Sequence, residues 1–102
     1  MPSERPSDDV DPADLYAKAQ LAWGREAQLA KAAEEFSELS AEVNRLQNQQ
    51  TTLDILLEEI ADARVMLEQL ETDFTDDAVQ EAYERALSDL RDRLPNTGGE
   101  SA

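Results

Sequence analysis

Two acidic pairs carry the chemistry that this sequence can support: Glu35 and Glu38 in AAEEFSEL, and Glu59 and Asp62 in LLEEIADARVMLEQL. The members of each pair are three residues apart inside a helical apolar pattern, so each pair shares one helix face. Four carboxylates brought together in this way supply the oxygen ligands that hard divalent cations such as Mg²⁺ take. In so acidic a chain the spacing is common by chance, and a solvated charged face is the competing reading. Position favours a site. Glu59 and Asp62 flank the apolar Ile60 and Ala63, and Glu35 and Glu38 flank Phe36 and Leu39.

Composition removes other chemistries. With neither Cys nor His among 102 residues, there is no thiol nucleophile, disulfide framework, imidazole base or ordinary zinc site. The 24 acidic residues outweigh 9 basic ones, for a formal charge of -15, which argues against nucleic acid or an anionic membrane as a direct partner. No apolar run approaches the ~20 residues that cross a bilayer. MPSERPSDDVDP lacks the apolar segment of a secretory signal, so a cytoplasmic location is expected. Only Lys18 and Lys31 are lysines. An acid-rich, Lys-poor surface suits a halophilic source, with an ordinary acidic cytosolic protein as the alternative.

The elements that must position the carboxylates are helices. Residues 1–11 are rich in Pro, Ser and Asp and read as a disordered arm. Asp11 is placed to cap a first helix with Pro12 at its first position, and Gly24 ends it. A second helix carries Leu29, Ala33, Phe36, Leu39 or Ser40, Val43 and Leu46 at three- and four-residue steps. QNQQTT makes the connection, with Thr51 or Thr52 as the next cap. A third helix repeats Leu53, Leu56, Ile60, Ala63, Leu67 and Leu70. Thr75, Asp76 and Asp77 open a fourth, whose buried face is expected to hold Val79, Tyr83, Leu87, Leu90 and Leu94. Pro95 stops it, and 95–102 read as a tail.

The expected fold class is therefore all-α, an antiparallel bundle of about four helices over residues 12–94. So small a core predicts a homodimer or homotetramer. If the second and third helices pair antiparallel across QNQQTT, both acidic pairs lie at similar distances from the turn, at about 1.5 Å per residue. They then meet.

The run Glu34-Glu35-Phe36-Ser37-Glu38, followed by Glu59-Ile60-Ala61-Asp62, resembles the EExxE…ExxD pattern of MazG-like nucleotide pyrophosphohydrolases, especially short phage- or prophage-type members. The similarity extends from Trp23 to about Leu94. It implies that Glu35, Glu38, Glu59 and Asp62 bind Mg²⁺, with Mn²⁺ as a substitute, and that Glu34 is an outer-shell residue or water-orienting base. It further implies hydrolysis of a nucleoside triphosphate between its α and β phosphates. Carboxylate-held metal ions can neutralise phosphate charge and activate water without His or Cys. The stretch Ala63 to Glu68 lacks the Asn or extra Asp that many relatives carry there, so the substrate class does not transfer.

Three further residues are candidates for substrate contact: Lys31 for phosphate, Trp23 for stacking on a base and Arg64 for charge. Their competing readings are an ion pair with Glu34 or Glu35, a hydrophobic plug and a surface charge, respectively. Two rival functions remain. One is phosphoribosyl-ATP pyrophosphohydrolysis on the same fold. The other is a non-enzymatic acidic helical protein that binds a partner or mimics nucleic acid.

Overall fold

The computed structural model describes residues 11–95. Apart from Asp11 and Pro95, the expected arm and tail lie outside the described residues. Four helices follow one another: α1 (Pro12–Trp23), α2 (Arg25–Gln47), α3 (Leu53–Glu71) and α4 (Asp76–Arg93). The described residues contain no strand. None of their helices is long and apolar enough to cross a membrane.

Local chemistry sets the helix ends. The Asp11 carboxylate accepts from Ala13 N at 3.3 Å, the Thr52 hydroxyl from Ile55 N at 3.3 Å and the Thr75 hydroxyl from Ala78 N at 3.1 Å. Each satisfies an amide that a helix start leaves without a partner. Gly24 has φ 87° and ψ 161°, a region that side chains other than glycine avoid. One residue can therefore end α1 and start α2, its N–H donating to the Gln20 carbonyl at 2.8 Å.

The α2/α3 turn closes in a Schellman arrangement. Gln49 is left-handed at φ 59°, its N–H donates to Leu46 O at 3.0 Å, and Gln50 N–H donates to Arg45 O at 2.8 Å. Glu42, buried on α2, fastens this turn from within. It accepts from the Thr51 hydroxyl at 2.6 Å and from the Arg45 guanidinium.

The antiparallel α2/α3 pair is the most extensive packing, and α1 lies against α2. Tyr16 ties α1 to α3 by donating to Glu68 at 2.8 Å, and Arg25 meets Asp73 at 2.7 Å across the open end of the hairpin. The buried apolar residues among those described are Ala32, Ala63 and Met66. Phe36, Leu39, Leu56 and Leu70 are half-buried beside them.

The expected core stripes need correction. On α2 the inward residues are Gln28, Ala32, Glu35, Leu39 and Glu42, while Leu29, Ala33, Val43 and Leu46 are exposed. On α3, Glu59, Ala63, Met66 and Gln69 turn inward, while Ile60 is 44% and Leu67 50% exposed. Much of each buried face thus lies one residue away from the apolar stripe, and one residue turns a helix by about 100°. Small Ala32 and Ala63 allow close approach, and the bulky side chains are left on the flanks. Tyr83, Leu87, Leu90 and Leu94 on α4, expected to be buried, are exposed in the single chain, and Val79 is half-buried.

Two substitutions test the junctions. Gly24→Ala forces a side chain into a conformation it avoids and is expected to cost about 1–3 kcal/mol, although no atom stands in the way of the new methyl. Gln49→Gly relieves the opposite strain and is expected to add up to about 1 kcal/mol. Urea unfolding followed by circular dichroism measures both; equal midpoints for all three proteins would contradict the assigned backbone conformations.

Candidate metal centre

The register of the α2/α3 hairpin decides which side chains meet. Gln69 donates its side-chain amide to Gln28, so those two positions share a rung. Moving along both helices by equal steps toward the turn pairs Glu35 with Asp62 and Glu38 with Glu59. Glu35 and Glu38 are themselves neighbours on α2, three residues apart. One oxygen each from Glu35, Glu38 and Glu59 consequently lies within 4.8 Å of the others.

Burial is graded across the trio. Glu35 is 7% exposed, Glu59 is half-buried and Glu38 is open to solvent. Glu35 Oε1 and Glu59 Oε1 are buried without a hydrogen-bond partner. A carboxylate oxygen removed from water without a partner is costly, and a cation is the natural partner for oxygens that already converge. Lys31 offsets part of the charge from the rim, with Nζ 3.0 Å from Glu35 and 3.5 Å from Glu34. Its hydrogen bond to Glu35 leads the causes that hold its ammonium pKa above the ordinary lysine range, followed by the charge of Glu34.

The electrostatics register the crowding. Burial first, and then the charges of Glu38, Asp62, Glu35 and Glu42, push the Glu59 carboxyl above the usual range. The metal-free protein therefore disfavours the charged form of Glu59 relative to a free glutamate. A divalent ion would make the same carboxylate favourable in its charged form.

The remaining sequence candidates are placed as follows. Asp62 lies outside the trio: it is exposed and one methylene shorter than glutamate, though its charge reaches Glu59. Glu34 is exposed at the rim, beside Lys31. Trp23 is 67% exposed at the end of α1 and does not plug the core. Arg64 is engaged by Glu68 at 3.0 Å. The same Glu68 accepts from Tyr16, and these contacts hold its carboxyl below the usual range. Arg64 thus strengthens the α1/α3 junction.

Sequence reasoning passed over Gln28 and Glu42, and the exposed helix face that it gave Gln69 needs correction: all three are buried. Their signal is the series Gln28, Ala32, Glu35, Leu39, Glu42, which keeps strict helical steps once polar residues are allowed on an inward face. No known protein family, curated protein or solved structure matches this chain. The site is read from its own geometry.

A pH series on the metal-free protein tests the crowding. Because the folded-state pKa of Glu59 is raised, its stabilising proton is fully bound below the unfolded value and lost as pH rises through the folded value. Glu59→Gln keeps a neutral group at every pH. Its stability advantage over wild type is expected to grow through that window, and a constant difference would contradict the repulsion. Added Mg²⁺ is expected to stabilise wild type more than Glu59→Gln.

Proposed function

We propose that this chain is a Mg²⁺-dependent nucleoside triphosphate pyrophosphohydrolase of the MazG-like kind, with Mn²⁺ able to replace Mg²⁺. The observation that carries this reading is the convergence of Glu35, Glu38 and Glu59 with two buried, unpartnered carboxylate oxygens among them. Oxygen donors, partial burial and an open Glu38 side fit a hard divalent ion that remains accessible to a phosphate ligand. When bound, such an ion neutralises phosphate charge and lowers the pKa of water.

The side chains around that centre have separable tasks. Glu35 and Glu59 would hold such an ion from the buried side and Glu38 from the rim, leaving the solvent side open to phosphate, while Asp62 would add negative charge from the next turn of α3. Lys31 turns from Glu34 and Glu35 toward the triphosphate and offsets its charge. Glu34, released from Lys31 at the rim, orients the attacking water and takes its proton. A P–O bond forms at the α phosphorus, the bond to the bridging oxygen breaks, and pyrophosphate leaves with that electron pair.

The uncovered apolar residues of α4, together with Ile60 and Leu67 of α3, support a homo-oligomer as the working form. At a net charge of -15, the copies repel at low ionic strength. Light scattering is expected to show a dimer or tetramer that tightens with added salt. A stable monomer at every salt and concentration would contradict this part of the proposal.

Hydrolysis in oxygen-labelled water, with separate detection of pyrophosphate and phosphate, tests the reaction. Label is expected in the monophosphate, and Glu38→Gln is expected to lower kcat/KM by at least about 10²-fold, since even indirect partners of a metal are worth 10–100-fold. Label in inorganic phosphate would place cleavage at the γ phosphorus. No turnover of any nucleotide with either metal would favour the partner-binding alternative.

A further inference from the structure

A groove of about 950 Å³ runs between α1, α2 and α3, within the size range of small-molecule sites. Its walls are largely apolar, with Leu15 and Trp23 from α1 and Val65 and Met66 from α3. Gln28 and Gln69 also line it, at 8% and 4% exposure, hydrogen-bonded to each other. Lys31 lines it as well, and the same ammonium contacts Glu35 of the carboxylate trio. The groove and the candidate metal centre are thus joined through one cationic side chain.

We propose, resting on the nucleotide reading above, that this groove holds the base of the nucleotide and that the Gln28–Gln69 pair reads its edge. The occupant must be apolar on its faces and polar on one edge, and must extend toward Lys31 with negative charge. An aliphatic chain meets only the first requirement, and an apolar helix leaves the amides nothing to bind. A nucleobase carrying phosphates meets all three: Trp23 offers a stacking face and Lys31 faces the first phosphate.

The amides define what is read. With Gln69 donating to Gln28, the pair retains amide N–H donors on Gln28 and a free carbonyl on Gln69. Turning both amides over reverses that order while keeping their mutual bond. The pair therefore accepts the keto edge of uracil and the amino edge of cytosine with little preference. Gln69→Glu removes that freedom, because a carboxylate only accepts. Gln28 must then donate to it, and the remaining acceptor favours an amino group.

NMR on the metal-free protein tests this without turnover. Deoxycytidine and deoxyuridine monophosphates are expected to shift the Trp23 indole N–H and the side-chain amides of Gln28 and Gln69, which inorganic pyrophosphate leaves in place. In Gln69→Glu, the affinity ratio of deoxycytidine to deoxyuridine monophosphate is expected to rise about tenfold or more, the scale of one hydrogen bond to a charged group. The double change Gln28→Leu with Gln69→Leu keeps the groove apolar and strands no amide. It is expected to fold and to bind both monophosphates more weakly than wild type, having lost the groups that read the base edge. If no nucleotide is hydrolysed but these shifts occur, the hydrolase reading falls and the base pocket stands. Hydrolysis with the three signals unmoved, an unchanged base ratio in Gln69→Glu, or shifts that follow protein concentration in place of nucleotide would each overturn it.

Discussion

Because Gln28 and Gln69 bind each other across α2 and α3, the two helices cannot slide by a turn without stranding two buried amides. That one register also brings Glu38 opposite Glu59 and carries Glu35 into the same space. Small Ala32 and Ala63 let the backbones approach closely enough for the carboxylates to converge. The Schellman turn and the clasp of Glu42 with Thr51 and Arg45 hold the other end. Attraction at both ends of the hairpin is thus set against repulsion in its middle.

The repulsion explains why the site is graded from core to solvent. Three carboxylates all buried without a cation would each be driven to protonate, whereas here Glu38 stays hydrated and Lys31 partly neutralises Glu35. The burden falls on Glu59, whose carboxyl is pushed upward by burial and by its neighbours. A divalent ion would invert that balance, converting the least comfortable part of the hairpin into its strongest contact.

Helix ends were legible because their signals are local. Pro12 after Asp11, Gly24, Thr75 and Thr52, the second of two threonines the sequence offered as a cap, each act within one turn of their own position. The meeting of Glu35, Glu38 and Glu59 was legible too, because an antiparallel hairpin turns distance from the loop into proximity. The rotation of the buried faces was not. Apolar periodicity identifies a stripe, but two adjacent stripes, one of Leu29, Ala33 and Phe36 and one of Gln28, Ala32 and Glu35, have the same period. Choosing between them depends on the facing helix, on the small residues and on amides that pair only after folding. Asp62 shows a second limit, because sequence spacing places a carboxylate on a face without stating its reach.

The most direct measurement follows paramagnetic Mn²⁺ titrated into isotope-labelled protein, with backbone amide signals read at constant ionic strength. Broadening is expected first around Glu35, Glu38 and Glu59, and Glu35→Gln is expected to abolish that focus while leaving the fold intact. The acidic start of α4 at Asp76 and Asp77 serves as an internal control for ordinary surface charge. Equal broadening there and at the trio, unchanged in Glu35→Gln, would mean that the hairpin holds no specific cation and that its convergent carboxylates are only a charged face.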